Sequence, residues 1–198
     1  MHTPLKILGK LDWIALSAEF FKNHFFTVFG LGLLAAFGRA AQLRAFGPVS
    51  DAANLLLEMG VEAVRVLIFL YALGLTNVRN GAIRVLRLFT TGGNRRRHWR
   101  TAVQKLKSQW VAVVLNLVAF LMVAWAVNAL IDYAAYQTCL YAKMKATDVI
   151  SDTTSEWAFI LFLKNISIIP FTLVFNALFL LWVTNRLHGR LAPHTNHH

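Results

Sequence analysis

Glu58, Glu62 and Arg65 interrupt LLLEMGVEAVRVLIFLYALGL (Leu55–Leu75), an otherwise apolar stretch with the length of a membrane span. A charge at mid-bilayer costs from about 2.5–3.5 to more than 10 kcal/mol depending on how it is measured, so such residues usually conduct, relay protons or pair. Steps of four and three residues place the three charges within about 60° of one another on a helix, and Asn54 shares that face one turn earlier. Glu62 and Arg65 can pair along the helix, which leaves Glu58 needing a cation or a proton. Lys164, in another apolar run, offers a cation at a similar depth, about 10 Å in at 1.5 Å per residue. The expectation is that Glu58 and Lys164 approach each other, within one subunit or across a subunit boundary. The four charges would then sum to zero, a balance that suits a polar seam fixing helix packing. An uncompensated acidic ring would instead suit a pore or proton relay, with the polar face of span two lining it. A third reading places the helix differently and leaves Glu58 at the interface.

These charges need spans to carry them. Hydrophobic residues make up 57% of the chain and charged ones 15%, against about 25% charged in soluble domains. The apolar residues gather in long runs, which predicts an all-α integral membrane protein forming a single transmembrane domain. Four spans are expected, at about 20–41, 52–75, 109–131 and 157–184. An apolar run from Phe25 to Phe37 followed by GRAAQ faintly resembles a signal peptide, but is read as the first span. GPVSD (Gly47–Asp51) predicts a tight turn with Ser50 or Asp51 as a helix cap. Pro170 should kink the fourth span, and TTSE (Thr153–Glu156) fits a capping box that starts it.

Basic residues set the expected orientation. With both termini cytoplasmic, Lys6, Lys10 and Lys22, nine Lys and Arg between Arg79 and Lys107, and Arg186 and Arg190 lie inside. The other side keeps Arg39, Arg44, Lys143 and Lys145, a balance of fourteen against four. The positive-inside rule then gives N-in, C-in topology, with Trp13, Trp110 and Trp182 at the inner interface and Tyr133, Tyr136 and Trp157 at the outer one. The setting expected is the bacterial inner membrane.

Between spans two and three, residues 76–108 read as a basic helical hairpin on the cytoplasmic side. It carries Arg84, Arg87, Arg95, Arg96, Arg97, Trp99, Arg100, Lys105 and Lys107, and TGGN (Thr91–Asn94) divides it. Three readings compete: topogenic charge that binds anionic lipid head groups, a dock for an acidic soluble protein, and contact with nucleic acid. The last is disfavoured because no recognised nucleic-acid fold surrounds the arginines. Ile7, Leu8, Leu11, Ile14, Ala18 and Phe21 recur at helical spacing and suggest a basic amphipathic helix on the inner leaflet, or simply the start of span one. The outer connection, 132–156, is too short for a domain.

Ala112, Asn116, Ala119, Val123 and Ala126 form a narrow stripe of mostly small residues, suited to close helix packing, with Asn116 able to bond across it. Cys139 is the only cysteine, so no intrachain disulfide is possible. His24 is read as packed or interfacial, and His194, His197 and His198 as a tail. No hydrolase, phosphate-loop, dinucleotide or metal pattern appears, and no cofactor is expected. The sequence therefore suggests a non-enzymatic, homo-oligomeric membrane subunit that anchors or signals to a soluble cytoplasmic partner through its basic hairpin. The alternative is a homo-oligomeric ion channel. Small four-span proteins paired with a soluble effector occur in bacterial anti-phage systems, which this chain resembles in architecture alone, with no matching residues.

Overall fold

The computed structural model describes residues 12–90, 92–151 and 154–184. Over these residues the chain is helical and has no strand: α1 (Asp12–Asn23), α2 (Phe25–Gln42), α3 (Asp51–Leu73), α4 (Val78–Thr90), α5 (Gly92–Ser108), α6 (Trp110–Tyr136), α7 (Leu140–Ala146), α8 (Glu156–Ile166) and α9 (Ile168–Val183). Three stretches are long and apolar enough to cross a membrane: α2, α6, and Glu156–Val183, which comprises α8 and α9. Helix α3 has 23 residues, the length of a span, but carries the charges already noted. The segment expected to open span one belongs instead to α1, and His24 stands at the N-cap position of α2. The chain divides into two compact units, 1–20, 69–120 and 174–198, and 21–68 and 121–173, with boundaries inside α1, α3, α6 and α9.

The first unit is built on aromatic burial. Trp13 is wholly buried and meets Phe179 and Trp182 edge-on, with ring centroids 5.0 and 4.2 Å away. Phe120 stacks on Phe175 at 4.3 Å. The buried residues of α1 are Trp13, Ser17 and Phe20, not the stripe through Ile14, Ala18 and Phe21 expected from periodicity. A large indole contributes more buried apolar area than those smaller side chains, so it turns the helix. Ile7, Leu8 and Leu11 of that stripe lie outside the described residues.

The turn from α3 to α4 is tight and strained. The Thr76 N–H donates to Tyr71 O (2.9 Å) and the Leu75 N–H to Ala72 O (3.0 Å), closing α3 with paired terminal bonds. Leu75 and Thr76 both take positive φ, 48° and 80°. Asn77 then caps α4, its Oδ1 accepting the Asn80 N–H at 3.2 Å. The crossing is so close that a Cβ on Gly81 would fall 2.0 Å from the Leu70 carbonyl oxygen. Glycine is required there by space alone.

In the second unit α2 packs closely on α8. A Cβ on Gly32 would lie 2.9 Å from the Asn165 carbonyl oxygen, so the two backbones nearly touch. The expected kink appears as a break at Ser167 (φ −121°, ψ −86°), three residues before Pro170. Proline lacks an N–H and its ring crowds the carbonyl four residues earlier, so the chain yields on the N-terminal side of Pro170. Ser167 Oγ donates to Leu163 O at 2.6 Å. Helix α3 starts as expected, with Ser50 Oγ accepting the Ala53 N–H at 3.4 Å. The capping box differs. Ser155 is the N-cap of α8 and makes no side-chain cap bond. Thr153 lies outside the described residues, and the Thr154 hydroxyl donates instead to Ala45 O at 3.4 Å.

Candidate functional site

Three charges of the second unit assemble around Glu62 on α3. Its Oε1 accepts from Arg65 Nη1 at 2.5 Å and from Arg39 Nη2 at 3.4 Å. Arg65 Nη2 donates to Asn165 Oδ1 at 2.9 Å, while Asn165 Nδ2 donates to Leu161 O at 2.7 Å. One carboxylate therefore ties α2, α3 and α8 through two guanidiniums and an amide. Glu62 itself is 53% exposed, so the network constrains packing through the geometry of its bonds more than through burial of charge. Arg65 Nε is buried without a hydrogen-bond partner, so its satisfaction is incomplete.

Arg39 and Asn165 are participants that sequence spacing did not single out. Arg39 reads in the sequence as one of the outer-side positive charges, and Asn165 is an uncharged residue beside Lys164. Their roles depend on the α2–α8 approach at Gly32, where Gly32 and Ala36 form a small-residue face in the sequence that marks close packing without naming the partner helix. Asn54, expected on the same face, is not part of this network; its backbone carbonyl accepts Gln42 Nε2 at 3.2 Å.

Glu58 and Lys164 are not brought together as an ion pair. Glu58 is exposed on α3 and Lys164 is half-buried on α8, and neither makes an ion pair among the described residues. Within one chain the neutral set of four is thus replaced by a smaller network with two cations and one carboxylate. This arrangement opposes a cation at Glu62 and leaves Glu58 open.

In the first unit the hairpin helices carry the other candidate residues. Arg84 donates from Nη1 to the Leu73 carbonyl, tying α4 to the end of α3. Arg87, Arg100 and Lys107 are exposed, as is Trp99 at 61%. The side chains of Arg95, Arg96 and Arg97 lie outside those described. Lys105 turns inward: its Nζ sits 4.4 Å from the centroid of the Trp182 ring and donates to Trp182 O at 2.7 Å. Burial pushes the Lys105 amine below its ordinary 10.5. Lys105 is therefore a fastener of the α5–α9 contact, unlike the exposed cations around it.

The small stripe on α6 divides by burial. Asn116 is buried, accepting the Ile14 N–H on Oδ1 at 3.1 Å and donating from Nδ2 to Ala112 O at 2.8 Å. It thereby satisfies one of the donors left open in the first turn of α1. Ala112 and Ala119 are half-buried, and Ala126 is exposed. Among the described residues no group of three or more His, Cys, Asp or Glu could hold a metal ion. Comparison with protein-family models, with curated proteins and with solved structures finds no match to this chain.

Proposed function

We propose that this chain is a non-enzymatic four-span subunit of a bacterial cytoplasmic membrane, with both termini inside, that holds or signals to an acidic soluble protein through α4 and α5. The observation that carries the reading is a one-sided charge. From Ala63 to Ile131 the chain contains no Asp or Glu, while nine Lys and Arg fall between Arg79 and Lys107. That stretch supplies no carboxylate to balance these cations, and Trp99 and Val103, both exposed among them, add apolar contacts that a folded partner can cover. Anionic head groups compete for the same cations. The test is affinity purification from native membranes of the wild-type chain and of a chain with Arg95, Arg96 and Arg97 changed to Gln. Recovery of an acidic cytosolic protein with the first and its loss with the second supports docking. Recovery of anionic lipid alone with the wild type overturns it.

A second reading, a homo-oligomeric channel, is favoured by the exposed and unpaired Glu58 on α3. Reconstituted bilayers decide it. Conductance altered by Glu58→Gln or Glu62→Gln supports a pore along α3, and silence across voltages counts against one.

A further inference from the structure

We propose that a second copy of this chain docks on the open face of α3, with Glu58 of one copy paired to Lys164 of the next. The inference rests on α3 being a span, part of the function proposed above.

The exposed face of α3 suits neither water nor lipid. Leu55, Leu56 and Met59 are exposed at 59%, 68% and 62% around Glu58. Apolar flanks of that size exclude water as the natural neighbour, and an ionised carboxylate excludes acyl chains. The fitting occupant is apolar and carries one cation at the level of Glu58.

The chain itself supplies such a cation. Copies of one membrane protein enter the bilayer in the same orientation, so their symmetry axis runs along the membrane normal and residues meet only at equal depth. Glu58 lies seven residues past the start of α3 and Lys164 eight past the start of α8, about 10–12 Å at 1.5 Å per residue. Both helices enter from the same side in the proposed topology. Lys164 is half-buried on α8, two turns after the exposed Trp157 and one turn after the buried Ile160, so its long side chain lies at the edge of the packed face. The guanidiniums of Arg39 and Arg65 already serve Glu62, so they do not compete for Glu58.

Space for the neighbour is present too. A groove of about 840 Å³ runs between α2 and α3, with Gly38, Ala53 and Gly60 among its lining residues. Small residues let a neighbouring helix approach closely. The groove supplies shape and the Glu58–Lys164 pair supplies register.

The experiment uses two tagged forms of the full chain in a Cys139→Ser background, one with Glu58→Cys and one with Lys164→Cys, expressed together in membranes. A short, membrane-permeant bis-methanethiosulfonate should join the two tags, and should not join either form to itself. A parallel pair, Glu58→Lys and Lys164→Glu, should each lower the oligomer on native gels at least tenfold, and the double exchange should restore it. The span is checked separately: Ser50→Cys should react with an impermeant maleimide in intact spheroplasts, and Asn77→Cys should not. If both or neither of those sites react, the span reading fails and the interface goes with it. If the span holds but no tags join and the double exchange restores nothing, the interface alone is overturned. A monomer retaining tightly bound lipid in native mass spectrometry also overturns it.

Discussion

In the second unit Glu62 is shared by Arg39 and Arg65, and Arg65 passes a further bond to Asn165. In the first unit the exposed cations of α4 and α5 have no carboxylate in the whole stretch from Ala63 to Ile131 to answer them. One region gathers Arg39, Glu62 and Arg65 into an ion-pair network that, with Asn165, holds three helices together. The other presents Arg87, Arg100 and Lys107 outward, while Arg84 bonds the Leu73 carbonyl and Lys105 the carbonyl and ring of Trp182. Charges paired within the chain should govern stability, and charges exposed on its surface should govern binding.

The sharpest way to break this contrast is to exchange the expected readouts. Changing Arg95, Arg96 and Arg97 to Gln should weaken partition onto anionic vesicles by about 100-fold, at about 1 kcal/mol per charge, with the unfolding midpoint unmoved. A fall in the midpoint instead would mean that these cations are structural. Arg65→Ala should do the reverse, lowering stability in detergent by about 1.5–3 kcal/mol, the range for hydrogen bonds to charged groups, while vesicle binding holds. Arg65→Lys should recover only part, because one ammonium cannot reproduce the planar fork that serves Glu62 and Asn165.

Gly32→Ala should cost about 1–3 kcal/mol by overpacking, because the added carbon meets the Asn165 backbone at 2.9 Å. Thermal unfolding measures it, and no loss would mean that the α2–α8 approach relaxes freely. Arg44 closes α2 with φ 60°, so Arg44→Gly should raise stability by about 1 kcal/mol, the cost of a left-handed side chain. The smallest effect concerns Lys105. Its folded pKa lies below the unfolded 10.5, so between the two values the unfolded state binds more protons and stability rises with pH. Below the folded pKa the penalty is present in full. Lys105→Met should remove this rise, visible as a difference in midpoint between the two proteins as pH climbs towards 10.5.

Local grammar made much of this legible. The Ser50 cap, the Glu62–Arg65 pairing and the disruption near Pro170 each depend on residues within one turn of each other, and spacing suffices to find them. Arg39 and Asn165 escaped because they join the seam through a helix approach at Gly32, whose small size signals close packing but not which helix packs there. The buried side of α1 was misplaced for a similar reason: periodicity weighs Ile14 and Trp13 alike, whereas packing does not. The ends of α2, α3 and α7 were hidden by their chemistry. Each closes with a positive-φ residue that is not glycine, at Arg44, Leu75 and Asp148, where glycine would have been the usual signal.

The stretch without carboxylates has a consequence for how the hairpin can be controlled. Arginine stays protonated throughout the physiological range, and His98 is the one residue from Ala63 to Ile131 of a type that ordinarily titrates near neutrality. Acidification finds no carboxylate in this stretch to neutralise, so the stretch's own charge is nearly constant across the pH values a cell meets. Counter-ions remain free to screen it over roughly 8–10 Å. Ionic strength, and not acidity, is the dial on this surface.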